Sequence, residues 1–309
     1  MSELRQAAEE YLAMRRALGF TLDQHGSRLR SFIGFLEEAG ATGITTDLAV
    51  AWATRTPPGT NPACWNARLT VVRIFARHLS ALDPTTQIPP SDLMPRRYRR
   101  IAPHLYSPEE LTALVAAATA LKHPLRALTY RTLITLLAVT GMRVGEACNL
   151  DRDDVAVDQH LITVRAGKLG KAREVPLHPT TAQALSAYNQ CRDQLRPAVD
   201  TPAFFINTLG SRLASRRVPD AFTGLREAAG ISAATGGRPP RIHDLRHTFC
   251  VATLLDWYRT GTDVDAHLPL LSTYLGHVDP ISTYWYLQAA PDLLALAAQR
   301  LDTFLGDLP

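Results

Sequence analysis

Apolar residues recur every three or four positions along most of the chain, and the rhythm breaks in two places. Leu4, Ala7, Ala8, Tyr11, Leu12 and Met14 form a first helical stripe. Leu29, Phe32, Ile33 and Leu36 form a second, which ends at Gly40, a residue suited to a helix C-terminus. Thr46-Asp47 offers side-chain caps for a third helix running through Trp52. Pro62 opens a fourth, in which Leu69, Val72, Phe75, Ala76 and Leu79 share a face. Four helices of this size predict a small bundle over residues 1–82. The first break runs from Asp83 to Pro103. Pro84, Pro89, Pro90, Pro95 and Pro103 punctuate it, and Arg96, Arg97, Arg99 and Arg100 lie inside it. Residues 83–103 read as a basic, proline-rich linker.

A second unit is expected over 104–309. Ser107-Pro108-Glu109-Glu110 has the spacing of a capping box with proline at the first helical position. A helix from about Leu125 to Val139 stops at Thr140-Gly141. The second break follows: Leu161–Arg165 and Arg173–Leu177 alternate as strands on either side of a Gly-Lys turn, which predicts a hairpin. Helices resume after Thr180. The expected class is therefore mainly α: an N-terminal helical bundle, then an α+β domain with a small antiparallel sheet. No internal repeat or low-complexity tract interrupts this plan.

Composition narrows the class. A length of 309 residues suits two domains, and 46% hydrophobic with 20% charged residues is the balance of a protein with real cores. The longest apolar runs, such as Leu133–Val139, are far too short to span a bilayer. Glu3, Arg5, Glu9 and Glu10 leave no apolar signal core at the N-terminus. Cys64, Cys148, Cys191 and Cys250 are far apart and form no Cys-x-x-Cys pair. A reduced, cytoplasmic setting is expected, with neither a disulfide framework nor a zinc ribbon. The net charge of +4 is mild, but Arg96–Arg100 and the group Arg212, Arg216 and Arg217 concentrate it in patches that suit a phosphate backbone.

Three segments carry candidate chemistry. They are Thr140-Gly141-Met142-Arg143-Val144-Gly145-Glu146, then His243-Asp244-Leu245-Arg246-His247, then Leu275-Gly276-His277 with Tyr286 nine residues further on. Lys168, in the hairpin turn, adds a cation. A phosphodiester under attack gains negative charge on its equatorial oxygens. Guanidinium groups present planar, paired donors to such oxygens and stay protonated. A tyrosine hydroxyl titrates near pH 10 and needs help to ionise, which nearby cations and a histidine provide. The leaving oxygen needs a proton, and a lysine on a turn is placed to supply it.

Gly-x-Arg-x-x-Glu, a hairpin lysine, His-x-Leu-Arg-His, and Leu-Gly-His with a tyrosine at nine residues resemble, in this order, the signature of the tyrosine recombinase (phage integrase) family. The resemblance covers about 104–309, and the N-terminal bundle resembles that family's SAM-like core-binding domain. It implies a site-specific DNA recombinase of a bacterium or mobile element. Arg143 and Arg246 would bind the scissile phosphate, His243 would assist proton transfer with Tyr286, Lys168 would be the general acid, and His277 would hydrogen-bond the phosphate. Tyr286 would form a 3′-phosphotyrosyl link, with no metal, ATP or other cofactor. Glu146 and His247 would orient these groups. Arg96, Arg97, Arg99, Arg100 and Lys171 would touch DNA. The partners implied are double-stranded DNA with inverted-repeat core sites, three further copies of the chain in a tetramer on two duplexes, and an accessory DNA-bending protein.

Some choices stay open on the sequence. Tyr284 is two residues from Tyr286, so on a helix the two point about 200° apart and only one faces the site; the spacing from His277 favours Tyr286. Lys171 competes with Lys168. Ala147 stands where the family commonly has leucine. His243 and His247 are four apart, yet Arg246 between them opposes a metal site. A type IB-like topoisomerase and a non-catalytic DNA-binding accessory protein are the alternative readings.

Overall fold

A computed structural model of the chain describes residues 2–20, 22–57, 60, 63–94, 102–165, 172–233 and 237–276. The chain divides into two units, Met1–Arg100 and Ile101–Pro309.

In the first unit, α1 (Glu3–Ala17) starts at Ser2, whose hydroxyl accepts the Arg5 N–H at 3.2 Å. The second helix, α2 (Asp23–Glu38), ends ahead of Gly40, whose φ of 64° is a left-handed value that glycine adopts without strain. The third, α3 (Thr46–Thr54), begins one residue earlier than expected. Its cap is Thr45, which sits in extended backbone so that its hydroxyl reaches the Leu48 N–H at 3.3 Å; Thr46 is already helical. With α4 (Ala63–Leu79), these helices bury Leu12, Leu29, Phe32, Leu36, Trp52, Leu69 and Phe75 in one core.

The chain beyond α4 stays on this unit. Gln87 N–H donates to the Ile44 carbonyl at 2.9 Å, and the Arg73 guanidinium donates to the carbonyls of Pro89 and Pro90, each at 2.7 Å. Met94 joins the core. Prolines carry no N–H, so their carbonyls are the backbone handles that remain, and Arg73 takes two of them. The first unit thus runs past the expected boundary at residue 82, to at least Met94. Arg96, Arg97, Arg99 and Arg100 lie outside the described residues.

The second unit is built around α6 (Pro124–Thr140), whose Leu125, Leu133, Ile134, Leu136 and Leu137 are all buried. It packs against α5 (Pro108–Thr119), α8 (Pro179–Leu195) and α10 (Asp244–Arg259). Both halves of the Ser107–Glu110 capping box are present at α5. The sheet has the order β1 (Val155–Ala156), β2 (Leu161–Val164), β3 (Arg173–Pro176), all antiparallel. Ile162 pairs with Val175, and both face the core. The two-residue β1 is too short to show alternation and was not expected.

Helix does not resume without interruption after Thr180. Between α8 and α9 (Val218–Ala228) lies an irregular stretch with isolated bridges Asp151–Ala203 and Ile206–Arg212. Arg192, on α8 and only 1% exposed, holds it by donating to the carbonyls of Ala203 (3.0 Å) and Phe204 (2.6 Å). Arg212 belongs to the same scaffold. Its guanidinium donates to the Cys148 and Leu150 carbonyls and pairs with Asp151, so it is a structural tie, while Arg216 and Arg217 are exposed. The last described helix, α11 (Val264–Leu275), is capped by Asp263 and ends at Gly276, φ 66°. Tyr274 packs between the main core and a smaller one under α10 and α11, stacked on Phe249 at 5.8 Å. The four cysteines are free, and among the described residues no helix is long and apolar enough to cross a membrane.

Candidate active site

The site begins where α6 stops. Gly141 takes φ 61°, and a Cβ there would lie 2.5 Å from Phe249 Cδ1, so both backbone and space call for glycine. The turn carries Arg143 to the N-terminus of a short helix, α7 (Val144–Asn149). Glu146 reaches back from the first turn: Oε2 accepts the Arg143 N–H at 2.9 Å and Oε1 accepts Arg143 Nη1 at 2.6 Å. The Glu146 side chain is 6% exposed and that of Arg143 27%. This is a buried carboxylate under a partly open guanidinium, not a pair on a helix surface.

Arg246 comes from α10, 105 residues beyond Gly141 in sequence, and is 2% exposed. Its Nη1 donates to the Gly141 carbonyl and its Nη2 to the Leu275 carbonyl, both at 2.8 Å. Arg143 Nη2 donates to the next carbonyl, Gly276, at 2.9 Å. A third guanidinium completes the row: Arg173 Nε, from β3, donates to the Tyr274 carbonyl at 2.8 Å. Three successive carbonyls at the end of α11 are thus each held by a different arginine. The last turn of a helix leaves its carbonyls without intrahelical partners and carries partial negative charge, which favours cations there.

His243 is the N-cap of α10, and His247 lies one turn on, with ring centroids 5.0 Å apart and edge to face. Between them Asp244 is fully buried. It pairs with Arg238 at 2.9 Å and accepts the Arg241 N–H at 2.8 Å. The protein packed about His243 displaces water from much of its ring, and Arg246, Arg241 and Arg143 add positive charge; together they hold its pKa down to about 4. His243 keeps an exposed face, which tempers the burial effect, but the cations act in the same direction. The imidazole is therefore neutral, able to accept a proton, at neutral pH. Burial, then His243 and the neighbouring arginines, push buried His247 down to about 3. For Glu146, burial works to raise the pKa, yet the hydrogen bonds from Arg173 and Arg143 outweigh it and bring it down to about 2.

The structure therefore brings together Arg143, Glu146, His243, Arg246 and His247. Lys168, Lys171, His277 and Tyr286, with the competing Tyr284, lie outside the described residues. Sequence reasoning passed over two groups. Arg173 has a visible signal: it shares a strand face with buried Val175, an unusual place for a charge unless a carboxylate awaits it. Asp244 lies inside a segment otherwise rich in cations. Among the described residues, no group of three or more His, Cys, Asp or Glu side chains is arranged to hold a metal ion. Chemically, the arrangement offers two guanidiniums locked in place by backbone carbonyls, with a neutral imidazole beside them. Such a set suits the binding and activation of an oxyanion.

Comparison with known proteins gives a consistent result. Residues 105–292 match the model of the phage integrase family. The putative integrase/recombinase y4rB of Sinorhizobium fredii is 44% identical over 308 residues, covering 98% of each chain. The tyrosine recombinase XerC of Mycobacterium sp. (strain JLS) is 30% identical over 300 residues, covering 93% of this chain and 94% of its own. The fold is similar to that of the XerH site-specific recombinase, solved in a post-cleavage complex with a palindromic difH substrate. The TM-score is 0.65 at 19% identity, over 91% of this chain and 80% of that one.

Proposed function

The chain belongs to the phage integrase family, the tyrosine recombinases, and on that premise we propose that it cuts and rejoins duplex DNA at specific sites with Tyr286 as its nucleophile. The Tyr286 hydroxyl attacks the scissile phosphorus and gives up its proton to His243, and the bond from phosphorus to the 5′ oxygen breaks. Lys168 protonates that oxygen, leaving a free 5′ hydroxyl and a 3′-phosphotyrosyl link. Arg143 and Arg246 bind the non-bridging oxygens, with His277 donating a further hydrogen bond. Glu146 and His247 orient the two arginines and His243. The phosphodiester bond energy is kept in the phosphotyrosine, so the strand is rejoined without ATP, and the cations that stabilise the charge belong to the protein, so no metal ion is needed.

The observation that carries this reading is the convergence of Arg143 and Arg246. Each is fixed on one of two adjacent carbonyls, Gly276 and Leu275, that lead directly into His277. Two guanidiniums are thus gathered at the end of α11, and in sequence His277 and Tyr286 follow it. A neutral His243 beside them has the protonation state that a proton acceptor needs. The proposed partners are duplex DNA with inverted-repeat core sites, three further copies of the chain on two duplexes, and an accessory DNA-bending protein. The proposed setting is the cytoplasm. Arg96, Arg97, Arg99, Arg100 and Lys171 are proposed to bind DNA phosphates.

A suicide substrate, nicked next to the cleavage position so that the freed strand diffuses away, tests the reading. The wild-type protein is expected to become covalently joined to DNA, Tyr284→Phe to do the same, and Tyr286→Phe to give no adduct. A wild type that never forms the adduct on its own target site would overturn the enzyme reading.

A further inference from the structure

Glu146 is shared. Its Oε1 accepts from Arg143 Nη1 (2.6 Å) and Arg173 Nη1 (3.0 Å), and its Oε2 from the Arg143 N–H (2.9 Å) and Arg173 Nη2 (2.7 Å). A carboxylate this deeply buried, alone with one arginine, would cancel that arginine's charge. Held between two, it leaves a net single positive charge. Arg143 is the more open of the two, with 27% of its side chain exposed against 10% for Arg173, so the uncancelled charge faces solvent through Arg143. Arg173 also spans three elements at once. It stands on β3, it pairs with Glu146 of α7, and its Nε donates to the Tyr274 carbonyl at the end of α11.

The backbone is shaped to admit it. At Gly276, φ is 66°, and a Cβ would lie 2.9 Å from Arg173 Nη1 and 3.2 Å from its Cζ. The glycine ahead of His277 thus gives the chain its left-handed turn and leaves room for this guanidinium. In sequence, Arg173 also follows Lys168 by five residues. The strand that leaves the lysine turn is therefore tied to the helix end that precedes His277.

We infer that Arg173 is a positioning residue of the cleavage site, which shares Glu146 with Arg143 so that positive charge remains for the scissile phosphate, and which pins the strand after the Lys168 turn to the end of α11. The inference rests on the strand-cleavage reading above. A lysine at 173 supplies charge but not the flat, three-pronged set of donors, so it restores only part of the function. A neutral side chain of similar length leaves Glu146 to Arg143 alone.

The test uses the full chain and the suicide substrate. Single-turnover adduct formation is followed against pH for the wild type, Arg173→Lys and Arg173→Met, with thermal unfolding and DNA affinity measured alongside. Removing an outer partner of this kind is expected to slow cleavage by roughly 10- to 100-fold in Arg173→Met, with DNA affinity changed far less. Arg173→Lys is expected to recover part of the rate. The Arg173 hydrogen bonds are the strongest influence holding the Glu146 pKa down, so removing them moves the acid side of the Arg173→Met profile to higher pH, and unfolding followed at each pH separates this from loss of the fold. Gly276→Ala, which crowds Arg173 without changing any charge, is expected to slow cleavage too. An Arg173→Met protein with the wild-type rate and profile overturns the inference while leaving the recombinase reading intact. So does an Arg173→Lys protein no faster than Arg173→Met. If Arg173→Met does not fold, the inference is judged on Arg173→Lys and Gly276→Ala, and wild-type rates in both overturn it. A wild type without adduct removes the underlying reading instead.

Discussion

At the scale of single residues, the site is an exercise in holding charge. Five guanidiniums (Arg143, Arg173, Arg238, Arg241 and Arg246) and two carboxylates (Glu146 and Asp244) gather here, and the two histidines beside them are kept from becoming cations. An ordinary histidine titrates near pH 6.5. In the free protein, His243 and His247 are expected to remain neutral at pH 5.5, read as ring chemical shifts in an NMR titration; midpoints near 6.5 for both would refute this. The stability consequence follows by linkage. The unfolded chain takes up the His247 proton as pH falls through about 6.5, whereas the folded chain resists until about 3. Stability contributed by neutral, buried His247 is therefore complete above pH 6.5 and drains away as pH drops toward 3. Denaturant midpoints should fall across that window, and His247→Gln should flatten the slope. Arg143, His243 and Arg246 were readable in sequence because the chemistry dictates their type and the spacing groups them. Arg173 was not read out, since its purpose depends on Glu146, a carboxylate remote in the chain; Asp244 has its partners Arg238 and Arg241 close by in sequence, but the burial that makes the pairing matter is not visible there.

At the scale of elements, helix ends do most of the positioning. Ser107, Thr45 and Asp263 start helices by the same device, an oxygen that accepts a free first-turn N–H. Gly141 and Gly276 stop α6 and α11 in left-handed turns, and both glycines lie directly in the arginine network. Gly141→Ala is expected to cost about 2–4 kcal/mol, from the left-handed backbone and the overlap with Phe249, measured by chemical denaturation. It should also slow cleavage more than that destabilisation alone explains, since the Gly141 carbonyl holds Arg246. A substitution that leaves stability and rate unchanged would refute the account of this turn. The long helices were legible from their periodicity, and so was the hairpin from its alternation. What escaped was the two-residue β1, the one-residue shift at Thr45, and the stretch between α8 and α9. That stretch is stabilised by Arg192 and by bridges to distant residues, so it has no local period to read.

At the scale of the whole molecule, the question is how a modest net charge holds DNA. Affinity for target duplex is expected to fall linearly in log–log terms with rising salt, because the binding energy would come mostly from phosphates. Replacing Arg96, Arg97, Arg99 and Arg100 by glutamine should lower that slope by about 0.9 for each phosphate that is no longer neutralised, read in a filter-binding or anisotropy titration; an unchanged slope would remove them from the interface. The apolar stripe Leu293, Leu294, Leu296, Ala297, Leu301, Phe304 and Leu305 is the candidate link between copies. Deleting residues 290–309 should abolish cooperative binding while leaving binding to a single half-site; cooperativity that survives the deletion would argue for a different link. The sequence by itself determined the family and the order of helices and paired strands, and it nominated the polar side chains proposed for the chemistry, because each of these follows from residue type and short-range spacing. Only the tertiary structure decided that residues 83–94 lie on the first unit, that Arg212 is a tie within the scaffold, and that three arginines, from β3, the N-cap of α7 and α10, meet three successive carbonyls at the end of α11. Those outcomes depend on which distant groups share a buried space, where an unpaired charge or carbonyl is costly, and no local pattern in the chain records that.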